Sequence, residues 1–117
     1  MNRRQLGSLY EEEAARYLSA QGMRILCRNY RCHFGEIDLI AKDGETIVFV
    51  EVKYRRSPAS GSPLGAVGLQ KQLRISRCAV FFLTAKYHRT DLPCRFDVIG
   101  FEGELIHHIK DAFSYRL

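Results

Sequence analysis

Gly35-Glu36-Ile37-Asp38-Leu39-Ile40-Ala41, Lys42-Asp43-Gly44-Glu45, then Thr46-Ile47-Val48-Phe49-Val50-Glu51-Val52-Lys53 is the stretch that decides the fold. Two apolar runs flank an Asp-Gly pair, which reads as a β-hairpin. Its charges stand where buried strands tolerate them least, because an ionised carboxylate taken out of water needs a partner or a metal. With Asp43-Gly44 as the turn, Lys42 faces Glu45, Ile40 faces Ile47, Asp38 faces Phe49 and Glu36 faces Glu51. Alternation then puts Glu36, Asp38, Glu51 and Lys53 on one sheet face. Asp38 and Glu51 become diagonal neighbours, with Cα atoms roughly 7–8 Å apart, and two carboxylates at that distance reach a shared cation. A one-residue slip would destroy the convergence.

Composition sets the outer bounds. A chain of 117 residues is most simply one domain, residues 1–117, able to bury roughly two-thirds of its unfolded surface. Hydrophobic content of 46% and charged content of 26% are ordinary for a globular protein. The net charge of +5 favours polyanionic partners such as nucleic acid. Cys27, Cys32, Cys78 and Cys94 form no CxxC pair, which argues against zinc and against a disulfide framework. The basic start Met1-Asn2-Arg3-Arg4 leads into an acidic helix rather than an apolar core, so no signal peptide is read and a cytoplasmic location is expected. The apolar runs Ile47–Val50 and Ala79–Leu83 are too short to span a bilayer, and no membrane role is expected.

Outward from the hairpin, Ser8 to Gln21 reads as a helix with Leu6, Tyr10, Ala14, Tyr17 and Leu18 on one face and Gly22 as its stop. Glu11, Glu12 and Glu13 point in three directions; Glu12 faces away from the apolar stripe, and Glu11 lies at its edge. Ser8-Leu9-Tyr10-Glu11 matches a capping box, the bland reading of Glu11. Met23 to Cys32 reads as a strand carrying Arg24, Arg28 and Arg31, either solvated or facing phosphate. Tyr54 to Gly65 is rich in Pro, Gly and Ser and reads as a loop, begun by Arg55 and Arg56. Ala66 to Tyr87 reads as a second helix with Leu69, Leu73, Val80, Leu83 and Tyr87 along its core stripe. Gln70, Arg74 and Arg77 run along one flank, with Lys71 beyond. Strands over Cys94–Phe101 and Glu104–Ile109 follow, joined at Glu102-Gly103, with a helical turn expected around Lys110–Phe113. The third strand, this helix and the fourth strand make a right-handed parallel crossover.

The chemistry sits on Asp38 and, 13 positions later, Glu51-Val52-Lys53. Two convergent carboxylates make a hard-oxygen site suited to Mg²⁺ or Mn²⁺. Such a metal lowers the pKa of bound water and polarises a phosphoryl oxygen. Lys53, on the same face, is placed to position the attacking water or offset charge on the phosphorane. The competing reading is a cross-strand salt bridge. Glu36, Asp38 and Glu51 outnumber the one lysine, however, and like charges placed together destabilise a sheet.

At these residues the chain closely resembles the bacterial YraN-like proteins. The likeness runs through Gly7-x-x-x-Glu11 with Ala14 and Tyr17-Leu18, Arg28-Asn29, the hairpin itself, Lys71-Gln72, Arg95-Phe96-Asp97-Val98 and Ile109-Lys110-Asp111-Ala112-Phe113. Tyr10 departs from it, since these proteins commonly have glycine there. The YraN-like proteins are similar to archaeal Holliday junction resolvases and the PD-(D/E)XK nucleases. That resemblance implies a restriction-endonuclease-like αβββαβ core, a mixed central sheet flanked by helices, and metal-dependent phosphodiester hydrolysis. It makes Asp38, Glu51 and Lys53 the motif residues, adds Glu11 as a helix carboxylate to the metal or its waters, and gives Lys71 a supporting place. The leading expectation is a Mg²⁺- or Mn²⁺-dependent endonuclease acting on DNA, branched or otherwise structured, with Arg55, Arg56, Lys71 and Arg74 on the phosphate backbone. Junction resolution would require two active sites and hence a homodimer. The alternatives are a nucleic-acid-binding module that keeps the fold without cleaving and a partner-binding domain of a larger complex.

Overall fold

Val48, Phe49 and Val50 are all buried, odd and even positions alike, because their strand runs through the middle of a sheet covered on both faces. A computed structural model of the chain describes residues 1–56 and 64–116. The elements are α1 (Arg3–Ala20), β1 (Arg24–Cys32), β2 (Gly35–Asp43), β3 (Thr46–Arg55), α2 (Leu69–Tyr87), β4 (Cys94–Glu102) and β5 (Leu105–Phe113). They build an α/β fold around one five-stranded mixed sheet in the order β1-β2-β3-β4-β5. Only β3 and β4 run parallel, and α2 supplies the crossover that a parallel pair requires. The αβββαβ expectation holds, with β5 added at the edge.

Each helix covers one face of the sheet. Ala14, Ala15 and Leu18 of α1 pack on Leu39, Ala41, Val48, Val50, Ile99 and Phe101. Ile75, Cys78, Ala79, Phe82 and Leu83 of α2 pack on Ile37, Ile40, Ile47, Phe49, Phe96 and Val98. Phe49 stands at the centre of the second layer, edge-on to Phe82 and stacked on Phe96 at 5.5 Å. Cys32 and Cys78 remain free thiols with sulfurs 2.7 Å apart, so the end of β1 also lies against α2.

Three boundaries differ from the sequence reading. α1 starts at Arg3, where Asn2 and Gln5 form a reciprocal capping box, so Ser8–Glu11 is not the cap and Glu11 lies mid-helix. The apolar periodicity concealed this start, because Leu6 and Leu9 stay 37% and 51% exposed. The helical turn expected at Lys110–Phe113 is instead the end of β5. Phe113 stacks on Phe96 at 4.9 Å, and the strand is interrupted at Asp111, which takes φ 54 while its N–H bonds Asp97. The second helix begins at Leu69, after Gly68. Of the expected loop, Tyr54 and Arg55 belong to β3, and 57–63 lie outside the described residues.

Candidate active site

The β2–β3 ladder runs from Asp43 opposite Thr46 to Leu39 opposite Val50 and then stops. The turn residues are therefore Gly44-Glu45, not Asp43-Gly44, and Lys42 faces Ile47 rather than Glu45. Gly44 takes φ 61 at the first turn position, a conformation that glycine adopts without strain. Asp43 is kept in the strand by a tertiary contact, a 3.1 Å ion pair with Arg95 of β4. The shift is two residues, so Asp38 and Glu51 keep their expected shared face. Its consequence is to bring Asp38 level with Glu51, one step past the last ladder pair, instead of diagonal to it.

Beyond that pair the two strands part, and a side chain replaces the backbone ladder. The Val52 N–H donates to Asp38 Oδ2 at 2.8 Å. The Asp38 and Glu51 carboxyls lie close enough to interact directly, an acid pair that favours a retained proton. Burial first, then that interaction and the Glu51 charge, push the Asp38 carboxyl up to about 9, against the lowering effect of the Val52 N–H. Glu51 is 7% exposed, and its Oε2 accepts no directed hydrogen bond. Lys71 Nζ lies 2.6 Å from that same oxygen. The two facts are compatible: the ammonium neutralises Oε2 by proximity, from outside hydrogen-bonding directions.

Lys53 donates to the carbonyl oxygen of Ala66, just ahead of α2. Burial lowers its pKa below the ordinary lysine value, with Glu51 opposing and Lys71 and Arg55 adding. The lysine in contact with the acid pair is therefore Lys71, from the first turn of α2, rather than Lys53. Glu11 approaches from α1. Its turn of helix is held over the strand end by Tyr10, which stacks on Tyr54 at 4.5 Å and meets Phe101 at 4.9 Å. Tyr10 thus fills the place where a glycine was expected. Burial raises the Glu11 pKa, the side chain of Asn29 opposes that with a hydrogen bond, and the charges of Glu36 and Glu51 raise it further. Among the described residues, no three His, Cys, Asp or Glu side chains form a ready metal cage. Glu11 therefore faces the Asp38–Glu51 pair without closing on it.

The basic residues divide into two groups. Arg74 lies over Gly35, its Cβ 3.8 Å from where a side chain there would begin, and Arg56 is exposed. Arg55 is engaged by Glu102, Nη2 to Oε2 at 2.7 Å, and Arg31 pairs with Glu36 at 3.0 Å. The sequence reading missed Asn29 and the Val52 N–H. An Asn, a poor strand former, in the middle of β1 is the signal that pointed to the former.

The sequence matches the family described as "Uncharacterised protein family UPF0102" over residues 10–101. A UPF0102 protein of Lachnoclostridium phytofermentans is 48% identical over 114 residues, covering 97% of this chain and 97% of the relative. One from Syntrophus aciditrophicus is 55% identical over 113 residues, covering 92% of this chain and 87% of the relative. A third, UPF0102 protein PSHAa2523 from Pseudoalteromonas translucida, is 45% identical over 109 residues, covering 93% and 88%. The YraN-like resemblance of the motifs agrees with these matches, and the chain belongs to the uncharacterised protein family UPF0102.

Proposed function

We propose that this protein is a Mg²⁺- or Mn²⁺-dependent endonuclease that hydrolyses phosphodiester bonds in DNA. One observation carries the reading: at the fork between β2 and β3, two buried carboxyls meet with a single backbone donor on Asp38 and one buried Glu51 oxygen lacking a directed hydrogen bond. A divalent cation fits such a donor set, since its charge replaces the retained proton and satisfies Oε2 of Glu51. Asp38 and Glu51 would hold the ion, with Glu11 reaching its waters. The ion, when bound, supplies an activated water and a polarised phosphoryl oxygen. Lys53, its proton affinity lowered by burial, is suited to orient that water, and Lys71 to neutralise the phosphate as Glu51 turns to the cation. Arg56, Arg74 and Lys71 are the backbone contacts. Arg55 joins them only by leaving Glu102. Branched DNA as substrate, a homodimer supplying the two active sites that junction resolution needs, and a cytoplasmic location belong to this proposal; the family resemblance supports the substrate.

A second reading, DNA binding without cleavage, is favoured by the Lys71 ammonium, which already occupies the approach to Glu51. Nicking of supercoiled and four-way-junction DNA with Mn²⁺ separates the two. The nuclease reading expects metal-dependent nicking that Glu51→Ala abolishes. Equal rates from wild-type and Glu51→Ala protein would assign the activity to a contaminant. Salt-dependent binding that survives Asp38→Asn with no turnover would establish the second reading.

A further inference from the structure

Asn29 lies inside β1 with φ 50, a left-handed conformation that interrupts an otherwise extended strand. The ladder does not explain it. Arg28 opposite Leu39 and Tyr30 opposite Ile37 stay in register on either side, and the bulge of β1 lies elsewhere, between Ile25 and Cys27. The kink changes which face the strand presents. Arg28 pairs with Glu12 of α1, yet Tyr30, two residues on, packs edge-on against Phe82 of α2 at 5.1 Å. On the partner strand Ile37 belongs to the α2 layer and Leu39 to the α1 layer. Both strands thus switch faces at one rung, Asn29 opposite Asp38, and that rung is the fork of the candidate site.

Glycine would make this kink with the least strain, and asparagine tolerates it better than most residues that carry a side chain. What asparagine adds is an amide donor. We propose that Asn29 is a positioning residue of the site: its left-handed backbone aims the side-chain Nδ2 at the Glu11 carboxylate and holds that carboxylate toward Asp38 and Glu51. The Asn29 side chain already acts on the Glu11 carboxylate, against the burial that raises its pKa. Without that donor, Glu11 would face Glu36 and Glu51 with Arg31 as its compensating charge. The functional consequence rests on the nuclease reading; the contact itself does not.

Asn2 is the other asparagine of the chain, and its side chain caps α1, which provides an internal control. In ¹⁵N-labelled protein without metal or DNA, Glu11→Ala is expected to move the Asn29 side-chain amide resonances and leave those of Asn2 in place. Unmoved Asn29 resonances overturn the proposal. Asn29→Gly keeps the kink and deletes the amide, so its melting temperature should match the wild type while Mn²⁺-dependent nicking falls about tenfold or more. Asn29→Asp exchanges the donor for an anion facing Glu11 and should fall further. Wild-type nicking by Asn29→Gly also overturns the proposal. If no protein nicks at all, the nuclease reading fails, and the amide resonances still decide whether Asn29 holds Glu11.

Discussion

Two carboxylates are sunk in the same sheet, Asp97 in β4 and Asp38 in β2, and the protein treats them in opposite ways. Asp97 is fully buried and saturated. Arg95 Nε donates to it at 3.0 Å, the Asp111 N–H donates at 3.0 Å, and His108 Nε2 lies at 2.8 Å. Arg95 reaches on to Asp43, so this network also pins the β2–β3 turn. Asp38 has one backbone donor, and its other neighbour is a second acid. In β4 a buried acid is fully compensated by protein groups; at the β2–β3 fork Lys71 meets Glu51, and compensation of Asp38 is left to a proton or an external cation. A structural acid and a candidate catalytic acid thus differ in their donors, not in their depth.

The sharpest way to break this comparison is to delete one acid from each group. Glu51→Ala should abolish metal-dependent nicking, a loss on the order of 10³-fold if the cation supplies several kcal/mol, while the protein stays folded. Asp97→Ala should instead unfold it. Removing one partner from a buried ionic network costs roughly 3–5 kcal/mol, to be read from urea denaturation. If Asp97→Ala left stability unchanged and Glu51→Ala collapsed it, the two roles would be reversed.

Protonation provides the next test. The ordinary Asp value is 3.8, and the folded value is about 9. Between the two, the native state holds a proton that the unfolded chain has released, so unfolding free energy falls as pH rises, with a slope of at most about 1.4 kcal/mol per pH unit. This contribution is fully present below pH 3.8 and lost as pH passes 9. Asp38→Asn should flatten that slope in denaturation curves taken at several pH values. Mn²⁺ competes for the same position as the proton, so its affinity in the wild-type protein, measured by titration calorimetry, should rise over this range.

The smallest effect belongs to Lys71. Its half-exposed ammonium is the cation nearest Glu51, and removing it in Lys71→Met should tighten Mn²⁺ binding a few-fold, about 0.5–1 kcal/mol. Weaker binding would mean that Lys71 holds Glu51 in place instead of competing for it.

Much of this was legible from residue order. The continuous apolar run Ile47–Val50, with an Asp-Gly pair ahead of it, announced a central hairpin. The surplus of acids over lysine on one face announced a site. Strand alternation made the convergence of Asp38 and Glu51 robust, because even the wrong turn assignment was off by two residues and left those two side chains on one face. The capping box at Ser8 was misread because the true cap, Asn2 with Gln5, precedes exposed leucines that carry no core periodicity.

The sequence by itself determined the element types, the α/β class and which carboxylates share a face, since those depend on local periodicity and chain connectivity. Only the tertiary structure decided the register, the partners and the proton. Asp43 stays in its strand because Arg95, distant in sequence, holds it there. Lys71 rather than Lys53 touches Glu51 because α2 lies across the strand end and Ala66 engages the other ammonium. The Asp38 pKa is raised because folding buries two acids with too few donors, and burial is a property of the packed molecule that no local stretch encodes.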